Sequence, residues 1–487
     1  MKPHKNPVEG LDPSACTRRE LLKTAARWTA VGALGNLPFS MNLSAQTPPP
    51  SPREFNVLDF GATDDGASLD SPALQRAIDA AAASGPGARV VLPGGRRYLT
   101  GQVELRGGIE FHLAAGAELL ASTRPEDYGA DEALLTAHDA AGLRVTGNGR
   151  INGRSRAFMK HYDAAGEWWI PADFRPKLAV LTGCRDLAVH GITFYHAPLW
   201  TLHLVGCKDV LVDGVIIRNE LDVPNCDGID PDHCRNVEIR NCDITCGDDA
   251  IVVKATRAHA AYGGSSGIHV HDCVLETSDS GVKIGTETTR DITDVRFERC
   301  DIRNSCRGLT IQLRDEGNVS DVVFRDIKFT ARYHADPWWG RGEAISFTAI
   351  PRTPGAKLGR IRGVRVENVT GRAENSVRVS GCKESRIADV VFDRVAVTLD
   401  RWTNYRGGVW DNRPTTAYPA IEEHATPGIH VRHADNVILR HCSIAWGRNT
   451  PDYFTHALEA HDVTGLSYPD FVGEAANPDR YQAVQIG

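Results

Sequence analysis

The stretch NCDGIDPDHCRNVEIRNCDITCGDDAI contains six aspartates, and the spacing of three of them could bring their side chains together. Asp227 and Asp248 are 21 positions apart, and Asp249 follows directly. Carboxyl groups that crowd together do not all ionise, so one of them keeps its proton while its neighbours are charged. A protonated acid beside ionised carboxylates suits hydrolysis of a glycosidic bond, because one group protonates the leaving oxygen and another activates water.

The aspartates can meet only if the chain returns to the same place at a regular interval. Alternating apolar runs such as DVLVDGVIIRN, NVEIRNCDITCG and GIHVHDCVLETSDSG recur about every 20 to 30 residues, with longer excursions near 330–345 and 400–430. Each run is typical of a half-buried strand, and one unit alone cannot bury its apolar face. The sequence therefore predicts an all-β fold, a right-handed parallel β-helix. Its handedness is taken from the general preference of parallel crossover connections.

Stacking of such rungs would bring the carboxylates together. Neighbouring rungs lie about 4.8 Å apart, so Asp227 is predicted to lie over Asp248. The glycine before Asp248 permits a bend that turns Asp249 to the same side. Asp230 and Asp232 are instead interpreted as turn residues, because aspartate tolerates tight backbone geometry.

The N-terminal segment differs from the repeats. Arg18 and Arg19 precede a modestly apolar run and the sequence LSA, a pattern typical of a twin-arginine export signal. We therefore predict a signal peptide over residues 1–45, a Pro-rich spacer over 46–53 and a single β-helix catalytic domain over 54–487. Export by this route predicts a periplasmic or extracellular location.

The two ends of the β-helix are expected to differ from its middle. A short helix is predicted over residues 72–83, with Asp70 or Ser71 as its N-cap. Its apolar residues fall on one face, so this helix would cover the open end of the stack. From about residue 450 the repeat is no longer visible, and the tail is predicted to pack against the outside.

Composition excludes several classes of partner. The net charge is −7, whereas proteins that bind nucleic acid carry a basic excess. No window past the first fifty residues approaches the roughly 20 apolar residues of a membrane span. Neither an HExxH motif nor a Cys-rich finger occurs, so we expect no metal and no cofactor. A monomer is the expected assembly.

The 12 cysteines do not form an obvious disulfide framework. Cys16 falls in the predicted signal, which leaves an odd number in the mature chain. Four others stand in the same slot of the repeat, in RNCDI, HDCVL, ERCDI and RHCSI, and are predicted to be buried free thiols. Cys226 with Cys234 is the pair in which a disulfide would be sought first.

The stretch PNCDGIDPDHCRNVEIRNC, followed by GDDAIVVKA, resembles the polygalacturonase family, glycoside hydrolase family 28. The motifs of that family include Asn-Thr-Asp, Gly-Asp-Asp, Gly-His-Gly and Arg-Ile-Lys. The resemblance implies a right-handed β-helix and hydrolysis with inversion at the anomeric carbon. By position it implies that Asp248 is the general acid and that Asp227 and Asp249 activate the water. Asn225 matches the family's Asn, and Cys226 stands in place of its Thr.

The resemblance runs from about residue 54 to 447 and includes two departures. Ser280 stands where the family has the His of Gly-His-Gly. Thr310 and Gln312 stand where it has the Arg and Lys that hold a galacturonate carboxylate. The resemblance therefore does not predict cleavage of plain homogalacturonan, and rhamnogalacturonan is an equal candidate.

Other residues on the same rungs could hold the substrate instead. Lys283, Arg307 and Arg314 are basic residues that could compensate by position, and Arg314 shares its predicted strand face with Gln312. Trp338 could stack on a sugar ring, or it could anchor a long excursion of the chain near residues 330–345. The predicted substrate-binding residues lie on these rungs or in that excursion, and they are Asn225, Lys254, Ser280, Lys283, Glu287, Gln312, Arg314, Trp338 and Trp339.

Three functions remain open. The first is hydrolysis of a pectic carbohydrate; the phrases KIGTET, DPWWG and GGVWDNRP resemble exo-acting family members, and long excursions could close one end of a cleft. The second is a polysaccharide lyase in which the aspartates bind Ca²⁺, since oxygen ligands suit that ion. The third is a carbohydrate-binding β-helix without catalytic activity, which the missing His, Arg and Lys make conceivable.

Overall fold

A computed structural model describes residues 52–487, which form one compact unit. The predicted signal peptide and most of the predicted spacer lie outside the described residues. Within the described part of the chain, no helix combines the length and apolar character needed to cross a bilayer.

Parallel pairing joins 36 strands of the described residues into one coiled sheet with three faces. Along one face, for example, Ile229 pairs with Ile251, and Ile251 pairs with Val282 on the next rung. The chain therefore returns to the same place after each rung. The predicted all-β, parallel β-helix is confirmed.

The strands divide among the faces as follows; the long strands Ile361–Ala373, Ile387–Leu399, Ile429–Arg440 and Leu458–Thr464 continue around a corner onto the next face and are given under the face on which they begin. We call the face that contains Ile229–Asp232 the site face, and its strands are Val103–Glu104, Ala133–His138, Lys177–Thr182, Leu202–Val205, Ile229–Asp232, Ile251–Ala255, Ser280–Thr288, Arg307–Leu313, Glu343–Ala349, Asn375–Ser380, Ile429–Arg440, Leu458–Thr464 and Val484–Ile486. The second face contains Glu54–Asn56, Ala88–Leu92, Ile109–Leu113, Arg144–Gly147, Arg185–His190, Lys208–Asp213, Arg235–Arg240, Ser265–His271, Ile292–Glu298, Val319–Arg325, Ile361–Ala373 and Ile387–Leu399. The third face contains Asp65–Leu69, Arg97–Thr100, Glu118–Ala121, Arg150–Asn152, Thr193–Tyr195, Ile216–Arg218, Asp243–Cys246, Val274–Thr277, Asp301–Ser305, Lys328–Ala331 and Ser443–Trp446.

The faces differ in how their outer side is covered. On the second face the strand Arg235–Arg240 buries Val237 and Ile239 and leaves most of the other side chains exposed or half-buried. On the site face the strands Ile229–Asp232 and Arg307–Leu313 are buried at every position. Long excursions of the chain cover the outside of this face, so polar side chains there are enclosed.

Three excursions interrupt the rungs. Two of them were predicted, and they occupy residues 332–342 and 400–428; the second contains the hairpin Val409–Asp411 with Ile421–Glu423. The third contains the hairpin Met159–Asp163 with Trp168–Pro171, which the sequence did not indicate.

The interior is filled by stacked apolar side chains. A ladder of phenylalanines runs from Phe297 through Phe324 and Phe347 to Phe392, with ring centres 5.3, 5.5 and 6.2 Å apart. Each ring lies nearly parallel to the next: Phe297 and Phe324 pair on neighbouring rungs of the second face, and Phe347 joins the stack from the site face. The ladder joins successive rungs through apolar contact.

Cysteines fill the remaining small interior positions. All eleven cysteines of the described residues are buried free thiols, as predicted for the repeated slot. Cys226 and Cys234, the pair in which a disulfide would be sought first, are both free. Cys226 Sγ donates a hydrogen bond to the carbonyl of Val223 at 3.1 Å, and Cys234 Sγ donates to that of Leu204 at 3.2 Å.

The ends of the stack agree with prediction in part. The α-helix spans Ser71–Ala83 and buries Leu74 and Ile78 among other residues, so it covers the N-terminal opening. The Asp70 side chain accepts hydrogen bonds from Thr63 instead of capping the helix. The predicted loss of the repeat after residue 450 is wrong: Leu458–Thr464 and Val484–Ile486 add two further parallel strands.

Replacement of Phe324 by Ala is expected to destabilise the fold by about 3–5 kcal/mol, because it opens a cavity between two stacked rings. The midpoint of denaturant unfolding should fall accordingly. Val472→Ala is the control, since this side chain is 67% exposed and should have almost no effect. Equal stability of the two variants would contradict the role of the ladder.

Candidate active site

A cleft of about 230 Å³ opens where the site face meets the excursions. Its floor carries the predicted aspartates. The residues that line it are Trp200, Asn225, Asp227, Asp248, Asp249, Lys254, Asp279, Lys283, Thr286, Glu287, Arg307, Gln312, Trp339, Arg413 and Pro414.

The three predicted aspartates converge on this floor. Gly228 N donates to the carbonyl oxygen of Asp249 at 2.9 Å, and Ile229 pairs with Ile251, so Asp227 lies over Asp249. The prediction that Asp227 lies over Asp248 is wrong by one residue, because the rung interval here is 22 residues and not 21. One carboxylate oxygen from each of Asp227, Asp248 and Asp249 lies within 4.8 Å of the others. All three side chains are buried apart from the edges that face the cleft.

Asp248 is held by uncharged hydrogen-bond donors. The backbone N–H of Asn225 donates to Asp248 Oδ2 at 3.2 Å, and that of Asp249 donates to Oδ1 at 2.8 Å. Asn225 is held in turn by Arg175, which donates to its Oδ1 at 3.0 Å. Burial, followed by the negative charge of Asp227, raises the pKa of Asp248 well above its ordinary value.

The other two aspartates have ammonium partners. Lys254 Nζ lies 3.3 Å from Asp227 Oδ2, and Lys283 Nζ donates to Asp249 Oδ2 at 2.7 Å. Burial raises the pKa of Asp249 to about 6, although the charge of Lys283 works in the opposite direction. Burial opposes the charged form of Lys254, but the surrounding aspartates outweigh it, and the pKa of this lysine is raised.

Asp230 lies behind this group and is not a turn residue. It stands in the strand Ile229–Asp232 and is completely buried, with its Oδ1 3.4 Å from Lys254 Nζ. Burial and the charge of Asp227 raise the pKa of Asp230 well above its ordinary value. The interpretation of Asp230 and Asp232 as turn residues is therefore wrong.

Asp232 fixes the neighbouring chain. Its carboxylate accepts hydrogen bonds from the backbone N–H of Thr256 at 2.9 Å and from the Thr256 hydroxyl at 2.6 Å. His203 Nε2 lies 3.2 Å away. This buried network secures the end of the strand that carries Lys254.

A fourth aspartate, Asp279, stands on the next rung. Its Oδ1 accepts from Arg307 Nη1 at 3.0 Å, and its Oδ2 lies 3.7 Å from Lys283 Nζ. Arg307 also faces Asp411 at 3.4 Å and Glu343 at 3.8 Å. The charge of Asp279 contributes to the raised pKa of Asp248.

Two tryptophans supply the aromatic surface of the cleft. Lys254 Nζ lies 4.5 Å from the ring centre of Trp200. Trp339 comes from an excursion and packs edge-on against Trp168 at 6.0 Å. Trp338 also packs against Trp168, at 5.5 Å, and is only 2% exposed, so it anchors the excursion and does not reach a sugar.

Comparison with known proteins agrees with this geometry. The family model for glycosyl hydrolases family 28 matches residues 88–405. The chain belongs to this family. A second model, rhamnogalacturonase A/epimerase, pectate lyase-like, matches residues 54–112 of this family 28 protein. The resemblance found in the sequence is confirmed, and the protein is a glycosyl hydrolase.

Individual relatives of this family 28 protein are distant. A probable polygalacturonase of Vitis vinifera is 28% identical over 375 residues, which are 71% of this chain and 74% of that protein. An exopolygalacturonase of Zea mays is 23% identical over 385 residues, which are 76% and 89% of the two chains. The solved family 28 exopolygalacturonase of Yersinia enterocolitica superposes with a TM-score of 0.65 at 19% identity, covering 86% of this chain and 78% of that one. This last likeness shows the fold alone.

Most of the predicted substrate-binding residues of this family 28 chain line the cleft, and three do not. Those in the lining are Asn225, Lys254, Lys283, Glu287, Gln312 and Trp339. Ser280 is fully buried and donates to Asp279 Oδ1 at 3.0 Å. Arg314 is also buried, and its Nη1 donates to Thr348 Oγ1 at 3.0 Å. The strand ends at Leu313, so the alternation that was expected to place Arg314 on the same face as Gln312 does not extend to it. Trp338 is the third predicted residue that does not line the cleft.

Other cleft residues were not predicted. Trp200 lies in the turn before the strand Leu202–Val205, and Asp279 comes 31 positions after Asp248, beyond the predicted interval of 20 to 30 residues, so the repeat did not indicate either residue. Arg413 and Pro414 come from the excursion over residues 400–428, where no repeat exists to place them. Arg307 was predicted as a compensating basic residue, and it does line the cleft.

The aspartate trio has the oxygen donors that a divalent cation would need. Two of its carboxylates are already bound to ammonium groups, at 3.3 and 2.7 Å. Lys254 and Lys283 supply the positive charge that offsets the crowded carboxylates. The donor set therefore fits a lysine-neutralised acid cluster better than a Ca²⁺ site.

Proposed function

We propose that this family 28 enzyme hydrolyses a pectic polysaccharide or oligosaccharide, with Asp248 as the general acid and Asp227 and Asp249 as the groups that activate water. The observation that carries the proposal is the unequal environment of three carboxylates whose oxygens lie within 4.8 Å of one another. The substrate class is supported by the relatives, which are polygalacturonases by name.

The division of roles follows from the charges around each group. Asp227 and Asp249 each face a lysine ammonium group, at 3.3 and 2.7 Å, which offsets the negative charge of the crowded cluster. Within the described residues Asp248 forms no such ion pair, and burial raises its pKa. Asp248 is thus suited to hold the proton that goes to the leaving oxygen, while its neighbours accept one from water.

Inversion and exo action are further parts of the proposal. Inversion is proposed from the family resemblance and not from the carboxylate spacing, since the oxygens of the trio lie within 4.8 Å of one another whereas inverting pairs in general stand about 6.5–9.5 Å apart. Exo action is supported by the excursions that contribute Trp339, Arg413 and Pro414 to the cleft. The names of the Zea mays and Yersinia enterocolitica relatives point the same way. Export by the twin-arginine route and a monomeric state are proposed from the sequence.

One experiment tests these points together. The purified enzyme is incubated with a panel of pectic oligosaccharides, products are sized by mass spectrometry, and the anomer formed first is identified by NMR. Hydrolysis from one chain end with a single inverted anomer is expected. A retained anomer would overturn the inverting mechanism, and random internal cuts would overturn exo action.

The lyase alternative is separated by the same incubation. A Ca²⁺-dependent lyase leaves an unsaturated product that absorbs in the ultraviolet, and a chelator stops it. We expect no new absorbance and full activity in the presence of EDTA. Loss of activity on chelation, with recovery on addition of Ca²⁺, would favour the lyase.

The pH profile should reflect the same carboxylates. Because the pKa of Asp249 is raised to about 6, the acidic limb of kcat/KM is expected near pH 6, below which Asp249 is protonated and no longer accepts a proton from water. Lys283 holds this pKa down, so Lys283→Met should move the limb to higher pH. The exposed Lys208→Met is the control. If the acidic limb of kcat/KM stays at the same pH in Lys283→Met, Asp249 is not the group that sets this limb.

A further inference from the structure

The cationic side chains at the centre of the cleft are already bound to carboxylates. Lys283 faces Asp249 at 2.7 Å and Asp279 at 3.7 Å. Arg307 faces Asp279 at 3.0 Å and Asp411 at 3.4 Å. A carboxylate on the substrate would have to compete with these buried partners.

The cations at the two sides of the cleft are bound in the same way. Lys254 lies 3.3 Å from Asp227 and 3.4 Å from Asp230. Arg413 holds Asp411 with two nitrogens, at 2.8 and 2.9 Å. Within the described residues, no ammonium or guanidinium group of the cleft lining lacks a carboxylate partner.

The charges of the lining do not favour an anion either. Five acidic residues line the cleft, and they are Asp227, Asp248, Asp249, Asp279 and Glu287. Asp248 holds a proton in the proposed mechanism, so four carboxylates accompany the four basic residues Lys254, Lys283, Arg307 and Arg413. Two further carboxylates, on Glu343 and Asp411, lie buried behind Arg307. A uronate that entered this enclosed site would meet like charge at close range, which is costly when water is excluded.

We infer that the sugar residue on the glycone side of the cleaved bond is neutral, and that Asp279 determines this preference by holding Lys283 and Arg307 away from the substrate. The inference rests on the proposed function, because it names the sugar for the same site. An uncharged pyranose needs no ion pair, and Trp200 and Trp339 in the lining give it aromatic contact. Asp279 is a specificity determinant and takes no part in proton transfer.

The substrate test compares sugars that differ in charge. The probes are an oligogalacturonide, its carboxyl-reduced form, and rhamnogalacturonan fragments that end in rhamnose or in galacturonate. We expect kcat/KM for release of a neutral residue to exceed that for galacturonate by at least about tenfold. Faster release of galacturonate would overturn the inference while the proposed hydrolase function stands.

Failure of the proposed function would give a different experimental result from failure of the inference. If no probe is cleaved, the hydrolase proposal for pectic substrates fails. The inference is then decided by calorimetry on the Asp248→Asn variant, in which the neutral probes should bind more tightly than the oligogalacturonide. Tighter binding of the acidic probe would overturn it.

A variant of Asp279 tests the mechanism of selection. Asp279→Asn keeps the shape and a hydrogen bond to Arg307, but it releases the charges of Lys283 and Arg307. The ratio of kcat/KM for acidic over neutral probes should rise by about tenfold, and a ratio is insensitive to a general loss of activity. Glu287→Gln removes the same charge from the lining without breaking a pair to these cations, so it should shift the ratio less. An unchanged ratio in Asp279→Asn would overturn the role of this residue.

Discussion

Replacement of Asp248 by Asn should lower kcat by about 10²–10⁴-fold and leave the fold intact. Asn has the same shape, and its single carbonyl oxygen can accept from one of the two N–H groups, of Asn225 or of Asp249, but it carries no proton for the leaving oxygen. Since burial raises the pKa of Asp248, removal of this carboxyl also removes a buried titrating group, so the unfolding midpoint should not fall. Initial rates on the preferred pectic oligosaccharide and a thermal melt measure the two effects.

The matched control is Asp209→Asn. Asp209 is exposed on the second face and binds only the side chain of Asn236, at 2.9 Å. This variant should keep wild-type kcat. Full activity of Asp248→Asn would show that the acid is assigned to the wrong residue, and it would also leave room for a carbohydrate-binding protein without catalysis at this site.

Replacement of Lys254 by Met should cost about 3–5 kcal/mol of stability together with most of the activity. The ammonium group lies between Asp227 and Asp230, both of which are buried. Without it, Asp227 loses the ammonium partner that holds its carboxylate in place, so the water-activating group is weakened. Thermal denaturation and kcat report the two losses separately.

A second variant keeps this prediction testable if the first folds poorly. In Lys254→Met combined with Asp230→Asn, one of the two uncompensated carboxylates is gone, so part of the lost stability should return. Activity should not return, because Asp227 still lacks its partner. Lys208→Met on the exposed second face serves as the control. If Lys254→Met is as stable as wild type, the buried pairs do not hold the site together.

Much of the fold could be predicted because its signals are local. Val237 and Ile239 alternate with more exposed neighbours on the second face, and this period of two is visible in a few residues of sequence. The interval between repeats then sets the register of the rungs. For that reason the convergence of Asp227, Asp248 and Asp249 could be predicted from their spacing alone.

The strands of the site face lack this alternation of buried and exposed residues in their sequence. Both of its sides are buried, so polar residues such as Asp230 occupy a strand without any exposed neighbours to mark the alternation. With two acids and a proline in four residues, the strand Ile229–Asp232 has the composition of a turn. This strand is buried on its outer side because excursions that are remote in sequence cover it.

The sequence by itself determined the repeat, the family and the catalytic aspartates that we propose, because these depend on short patterns and on a regular rung interval. Only the tertiary structure decided which side chains reach the substrate. Trp338 and Trp339 are neighbours in sequence, yet one anchors an excursion and the other lines the cleft. The excursions have no period, and their course is set by contacts across the molecule such as Gly340 N–H to Asp411 at 2.8 Å. The pairing of Asp279 with Lys283 and Arg307 likewise depends on distances between rungs, which no local pattern encodes.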